Sequence, residues 1–202
     1  MKLAPLIRRL RREELPVDTI ELARFLIGKS IVRRLPGCRL SGRIVEVEAY
    51  PVGDAAGHAF RGRTASNRSL FLGTGYAYVY LSYGSSFMLN VTSEEPGVGA
   101  GVLIRSLEPM EGLRSMERRR RTSKLFDLAR GPGRLTMAMD IDGHCDGRDL
   151  CADTTLWLGS AVRRTGAIGR SVRVGLSKEV KRLRRFYERG SPYVSGPRRL
   201  SP

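Results

Sequence analysis

Residues 42–50, GRIVEVEAY, constrain the fold more than any other stretch of the chain. β-Branched and apolar residues recur there with period two, between Gly42 and the turn residues 51–53, which is the pattern of a β-strand. Alternation places on one face Val45, Val47 and Ala49, and on the other Ile44, Glu46, Glu48 and Tyr50. The first face suits a hydrophobic core.

The second face ends with a carboxylate and an aromatic ring, at the point where the strand gives way to a loop. Catalytic groups are often found where a rigid element meets a loop, so Glu48 and Tyr50 are candidates for a site. The same pattern also fits a strand with one solvated face, on which Glu46 and Glu48 are surface charges.

Charge indicates the partner. The chain has 36 Lys and Arg residues against 20 Asp and Glu, a net charge of +16. A field of that sign attracts a polyanion, and arginine binds phosphate through two hydrogen bonds, so nucleic acid is the predicted partner. A membrane is not predicted, because there is no apolar run of about 18 residues and no broad amphipathic face.

With 202 residues and 41% hydrophobic content, the chain is long enough for one sizeable domain. We expect a loosely held basic leader over residues 1–15 and a single domain over residues 16–202. Three cysteines form no paired framework and the leader lacks the features of a secretory signal. This combination favours the cytoplasm, at the nucleoid in a bacterium, or the nucleus in a eukaryote.

The local patterns predict a mixed α/β (α+β) fold with mostly antiparallel strands. Asp18 is a helix N-cap and Gly28 is suited to the left-handed residue after that helix. Residues 35–40 are a turn with Pro36 and Gly37, so the strands on either side are expected to pair as a hairpin. Tyr83 lies in a tight turn between two further strands. Residues 51–69 are irregular, and such length is usually functional or disordered. The predicted helices cover residues 18–28, 108–121 (with Pro109 in the first turn) and 131–139, and the predicted strands cover residues 29–34, 41–50, 75–82, 86–92, 98–107, 156–158 and 171–176.

Tyrosines cluster on the strand before that turn. Alternation puts Tyr76, Tyr78 and Tyr80 on one face, which fits either a core or a surface on which nucleic-acid bases stack. Tyr83 is harder to explain as core, because a short turn is normally exposed. An exposed aromatic side chain on so basic a chain suggests a wedge that enters between bases.

A metal-dependent nuclease is an alternative raised by Glu46, Glu48, Asp54 and His58. Their spacing matches no defined ligand set, and the group His144, Cys145 and Cys151 is weaker still. No metal is therefore predicted. The sequence also lacks a phosphate-binding loop and a dinucleotide fingerprint.

Taken together, the motifs resemble those of the alkyladenine (3-methyladenine) DNA glycosylases. The similarity runs in order from about residue 16 to residue 195. The motifs are GRIVEVEAY (42–50), GDAAGHAFRGRT (53–64) with NRSLF (67–71), YVYLSYG (78–84), Asn90, VLIRSLEP (102–109), GPGRL (131–135), RVG (173–175) and RFYERGSPYVS (185–195).

The resemblance implies a role for each matching position. Glu48 is the expected general base that activates water, and Arg105 helps to hold that water. The expected base pocket consists of Tyr50 and Tyr80, which stack on either side of the extruded base, with His58 lining it and Asn90 shaping it against the guanine 2-amino group. Tyr83 is the expected intercalating wedge.

The resemblance also implies a curved, mainly antiparallel sheet with flanking helices and a β-hairpin that inserts into DNA. The implied activity is monofunctional hydrolysis of the glycosidic bond, without lyase activity, cofactor or metal, by a monomer acting on double-stranded DNA with damaged purines. 3-Methyladenine, 7-methylguanine, hypoxanthine and ethenoadenine form the implied substrate class. A non-enzymatic nucleic-acid-binding protein is the alternative, although it gives Glu48 and Arg105 no task.

Overall fold

A computed structural model describes residues 6–201, with Arg198 described for its backbone only. Strand β2 (Cys38–Tyr50) is central to an eight-stranded antiparallel sheet. One edge of β2 pairs with β5 (Gly101–Glu111). The other edge pairs first with β1 (Ser30–Leu35) and further along with β8 (Arg185–Glu188). Three strands therefore cover both edges of β2.

The remaining strands extend the sheet outward from these pairs. Next to β5 comes β4 (Ser86–Thr92), and β3 (Ala77–Ser82) forms a hairpin with it. On the other side, β6 (Leu156–Gly159) pairs with β1, and β7 (Ile168–Ser171) pairs with β8. The predicted curved antiparallel sheet and the predicted β1–β2 and β3–β4 hairpins are confirmed.

Within residues 6–201, three α-helices flank the sheet: α1 (Thr19–Leu26), α2 (Leu113–Arg120) and α3 (Pro132–Met139). Helix α1 packs against β2 and β5, and α3 packs against β4 and β5, so the main hydrophobic core lies between these helices and the sheet. The predicted α+β class is confirmed. Among residues 6–201, no helix has the length and apolar character needed to cross a membrane.

A β-bulge in β2 changes the predicted faces. The β2–β5 register shifts on both sides of Glu46, so the alternation of side chains restarts there. Ile44 packs in the main core with Val47, whereas strict alternation put Ile44 on the opposite face from Val47. Glu46 and Glu48 are both 0% exposed, so the alternative of a solvated face with surface charges is wrong.

The largest differences in element boundaries concern two predicted elements. The helix predicted from residue 108 begins at Leu113, because β5 continues to Glu111 and includes Pro109. That proline pairs with Gly42 beside a register shift, where the sheet tolerates a residue without an N–H donor. The strand predicted over residues 171–176 ends at Ser171, and the residues after it enter the site described below.

The N-terminal segment contacts the sheet over its described part. Leu10 and Leu15 are buried in the main core, and Arg9 forms a bridge with Gly159 of β6. The expectation of a loosely held leader is therefore wrong for residues 6–15, because apolar side chains anchor this segment. Residues 1–5 of the predicted leader lie outside the described residues.

The N-cap of α1 gives a test of the fold. The Asp18 carboxylate accepts hydrogen bonds from the backbone N–H groups of Ile20 and Glu21, both at 2.9 Å. We expect Asp18→Ala to lower the free energy of unfolding by about 1 kcal/mol, measured by urea denaturation. Asp18→Asn, which keeps a capping oxygen, is the control and is expected to stay close to wild type. Equal losses in both variants would contradict this role.

Candidate active site

A cavity of about 690 Å³ opens beside the end of β2 and the β3–β4 hairpin. Its walls come from the irregular segment after β2, from β3, β4 and β5, and from residues 174–178. All seven residues predicted for the site line this cavity: Glu48, Tyr50, His58, Tyr80, Tyr83, Asn90 and Arg105. Elements far apart in sequence thus bring the candidate residues together.

Glu48 is a buried carboxylate in the cavity wall, on strand β2. Its Oε1 atom lies 3.1 Å from Arg105 Nη1 and accepts a hydrogen bond from the Val174 backbone N–H at 2.7 Å. Its Oε2 atom accepts a hydrogen bond from the Tyr50 hydroxyl at 2.9 Å. Three donors from three different segments therefore fix the orientation of this carboxylate.

Arg105 extends from β5 toward two carboxylates of the neighbouring strand. Its Nε donates to Glu46 Oε1 at 3.0 Å, while Nη1 contacts Glu48. Burial opposes the charge of this guanidinium, but Glu48 and Glu46 together outweigh burial and raise the pKa of Arg105. The side chain is therefore a permanent cation next to Glu48.

Tyr50 is held on two sides. Burial, followed by the nearby Glu48 carboxylate, raises the pKa of its hydroxyl, so the hydroxyl keeps the proton that it donates to Glu48. The Arg173 guanidinium lies 4.5 Å from the centre of the Tyr50 ring and forms a buried ion pair with Asp54. These contacts fix the plane of the ring at the cavity wall.

Three more rings form a second aromatic group in the cavity wall. His58 Nδ1 lies 2.8 Å from the Tyr78 hydroxyl, and the His58 and Tyr80 ring centres are 4.3 Å apart. Tyr78 stacks against Tyr80 with ring centres 5.3 Å apart. Burial lowers the pKa of His58, which favours a neutral imidazole, and burial raises the pKa of Tyr78 and Tyr80.

Tyr76 does not belong to this group, contrary to the prediction of three tyrosines on one face. Strand β3 begins one residue later, at Ala77, and Tyr76 instead lies beneath Arg12, whose guanidinium is 4.3 Å from its ring centre. The cavity is lined by Tyr78 and Tyr80 without Tyr76. The reason is that Tyr76 forms a bridge with Asp149, outside the β3–β4 hairpin.

Asn90 and Tyr83 define the hairpin side of the cavity. Asn90 is buried on β4 and donates from Nδ2 to the backbone carbonyl of Tyr78 at 3.2 Å. Tyr83 is 99% exposed at the hairpin tip and has a φ of 48°, followed by Gly84 at 66°. Two positive φ angles match a type I′ turn, which favours a hairpin but is strained for a tyrosine.

The carboxylates that suggested a metal site are paired with arginines. Glu46 contacts Arg105 and Arg185, and Asp54 contacts Arg173 and Arg184. Within residues 6–201, no group of three or more His, Cys, Asp or Glu side chains could hold a metal ion. The Glu46 and Asp54 carboxylates are thus arranged to bind arginine side chains rather than a divalent cation.

Several residues of the site were not identified from the sequence. Asp54 and Arg173 form a pair across 119 residues of sequence, and no local pattern links them. The Val174 N–H is a backbone group, which a residue pattern does not reveal. For Glu46, the sequence pattern indicates only a surface charge or a metal ligand. Two sequence features could have indicated a role for Glu46 in the site. They are its place two residues before Glu48 on the same strand and the surplus of arginines.

The geometry defines a class of protein. A carboxylate fixed by an arginine, inside a cavity with aromatic walls on a chain of charge +16, is typical of an enzyme that acts on a base of a nucleic acid. The methylpurine-DNA glycosylase family matches residues 13–192. The chain belongs to this family and is therefore a DNA glycosylase for alkylated bases.

Bacterial relatives agree with the family. A protein of Mesorhizobium japonicum is 61% identical over 189 residues, which cover 94% of this chain and 91% of the relative. One of Paraburkholderia phytofirmans is 54% identical (95% and 90% covered), and one of Chlorobium phaeobacteroides is 43% identical (89% and 93% covered). Each carries the name "Putative 3-methyladenine DNA glycosylase".

The lowered pKa of His58 predicts a pH dependence of stability. Below about pH 6.5, the ordinary histidine pKa, the unfolded chain binds a proton that folded His58 resists, so stability falls as pH decreases. We expect His58→Gln to reduce the loss of Tm between pH 7.5 and pH 5.5. His144→Gln, at an exposed position, is the control and should leave the loss unchanged. Identical pH slopes in wild type and His58→Gln would refute the assignment.

Proposed function

We propose that this chain flips alkylated or deaminated purines out of duplex DNA and hydrolyses their N-glycosidic bond, leaving an abasic site. 3-Methyladenine, 7-methylguanine, hypoxanthine and ethenoadenine form the proposed substrate class. The observation that carries the proposal is the buried Glu48 carboxylate, fixed by Arg105 in a cavity with aromatic walls. The family and the names of the bacterial relatives support alkylated bases as substrates.

Glu48 is the proposed general base. An ionised carboxylate has about four lone-pair positions. The Val174 N–H and the Tyr50 hydroxyl donate hydrogen bonds to Glu48, and Arg105 contacts it as an ion pair. In the proposed reaction, a water molecule binds at the remaining position on Oε2. Glu48 takes a proton from this water as the oxygen attacks C1′ of the sugar, while the glycosidic bond breaks with oxocarbenium character.

The aromatic walls are the proposed base pocket. A base within a duplex is inaccessible to Glu48, so the nucleotide has to rotate out of the helix. Tyr50 would stack on one face of the extruded base, with Tyr80 on the other and His58 beside it. A neutral His58 does not repel the positive charge of an alkylated purine. Asn90 would discriminate against the 2-amino group of ordinary guanine.

Tyr83 is the proposed wedge. Its side chain is almost fully exposed at the tip of a two-strand hairpin whose base lines the cavity. An aromatic ring that enters the base stack would fill the gap left by the extruded nucleotide. The surplus of arginines would bind the phosphates on both sides of that gap and neutralise their charge.

We propose a monofunctional monomer that needs neither metal nor cofactor. Among the residues lining the cavity, Lys178 alone carries a primary amine, and its side chain is exposed. Hydrolysis by water activated at Glu48 leaves the sugar–phosphate backbone intact, whereas lyase activity requires an amine that forms a Schiff base with the sugar.

The catalytic assignment is tested with labelled duplexes that contain one hypoxanthine or one ethenoadenine, incubated in EDTA. Wild type is expected to produce strand breaks only after treatment with alkali. Glu48→Gln is expected to lower the excision rate about 100-fold or more while binding the same duplex. Cleavage without alkali would indicate a lyase or a nuclease. Duplex binding without any excision by wild type would indicate a non-enzymatic binding protein.

The wedge is tested by comparing duplex and single-stranded substrates. We expect Tyr83→Ala to slow excision from duplex DNA about tenfold or more, because stacking contributes about 1–3 kcal/mol per base. Excision from a single strand should change much less, since no neighbouring base pair has to be separated. Ser85→Ala, in the same turn, is the matched control. Equal losses on both substrates would argue against a wedge.

A further inference from the structure

Glu46 is a second buried carboxylate, two residues before Glu48. It is 0% exposed and does not line the cavity, so it has no direct access to a substrate. Its Oε1 accepts hydrogen bonds from Arg105 Nε at 3.0 Å and from Arg185 Nε at 2.6 Å. Its Oε2 accepts from the Ser195 backbone N–H at 2.6 Å.

These contacts restrict how Arg105 approaches Glu48. With Nε on Glu46 and Nη2 on Ser195 Oγ at 3.4 Å, Arg105 has Nη1 left for Glu48. An arginine without such a partner can turn its fork and bind a carboxylate through two nitrogens. That arrangement would use the lone pair of Glu48 that the proposed mechanism assigns to water.

Arg185 in turn fixes Glu46. Its Nη1 donates to Ser171 Oγ at 2.8 Å and to the Leu200 carbonyl at 2.9 Å. Its Nη2 donates to the Ser195 carbonyl at 2.9 Å and to Ser201 Oγ at 2.8 Å. All donors of this buried guanidinium are occupied, so it can neither rotate nor release Glu46 without breaking several hydrogen bonds.

We propose that Glu46 is a positioning residue for the proposed glycosylase reaction, because it orients Arg105 and offsets its charge so that Glu48 remains available as a base. The inference depends on the role proposed for Glu48. The four groups form an alternating row, Arg185, Glu46, Arg105 and Glu48, in which the formal charges cancel. The remaining groups that face Glu48 are the Tyr50 and Tyr80 side chains and the Val174 N–H.

Removal of the Glu46 charge is expected to shift the pH–rate profile in a defined direction. Without it, the positive field of Arg105 acts on Glu48 with less compensation, and this favours the ionised carboxylate. The acidic limb of the pH–rate profile is therefore expected to move to lower pH. The rate on the plateau falls as well, because a weaker and displaced base accepts the proton of water less readily.

The test uses Glu46→Gln and measures single-turnover excision of 7-methylguanine, whose positive charge makes a proton donor for the leaving base unnecessary. We expect a loss of about 10- to 100-fold on the plateau and an acidic limb at lower pH, with duplex binding retained. The control is Glu188→Gln, at an equally buried carboxylate of β8 that pairs with Arg43. Glu188→Gln should lower Tm by a similar amount but leave the acidic limb of the pH–rate profile unchanged.

If folded Glu46→Gln has an unchanged excision rate and an unchanged acidic limb, the inference is wrong. A loss of rate without any movement of the acidic limb would also overturn it, because that result indicates only a structural role. If Glu46→Gln does not fold, Glu46→Gln/Arg185→Gln removes both charges of the buried pair and is expected to give a smaller shift in the same direction, because the loss of the Arg185 charge partly cancels the loss of the Glu46 charge. Normal excision by Glu48→Gln would refute the proposed function itself. A normal Glu46→Gln with an inactive Glu48→Gln would refute this inference alone.

Discussion

Buried pairs of arginine and carboxylate are the interaction on which this structure depends. Several carboxylates on or beside β2 are buried by neighbouring strands, helices and loops, and a buried charge requires a cationic partner. Arg43 with Glu188, Arg105 with Glu46 and Glu48, and Arg173 with Asp54 meet this requirement. The same pairs join β2 to β5, to β8 and to the loops of the cavity. The ion pairs that offset the electrostatic cost of burying charge therefore also hold the elements of the site in place.

Arginine therefore has two separate tasks in a chain of charge +16. One group is buried and neutralised by carboxylates, and its planar, multi-donor side chain holds segments together. Another group is exposed, such as Arg61 and Arg63 in the segment that lines the cavity, and supplies the field that attracts phosphate. The total charge of the sequence does not distinguish these groups. Burial in the folded chain separates them.

Short-range patterns predicted much of the fold. The Asp18 cap, the β1–β2 turn and the Tyr83 turn each depend on neighbouring residues, and all three lie as expected. The bulge at Glu46 was not predictable, because it depends on how β5 pairs with β2. The resemblance brought the seven candidate residues together, and they share one cavity. The supporting pairs were not found, since Asp54 and Arg173 have no local signal in common.

The long sequence separation of the Glu46 contacts has a consequence for synthesis of the enzyme. Glu46 lies 139 residues before Arg185 and 149 residues before Ser195. During synthesis from the N-terminus, β2 emerges long before these partners exist, and contacts between residues so far apart in sequence form late and slowly. The buried carboxylates of β2 are therefore ordered only after residues 185–195 have joined the sheet.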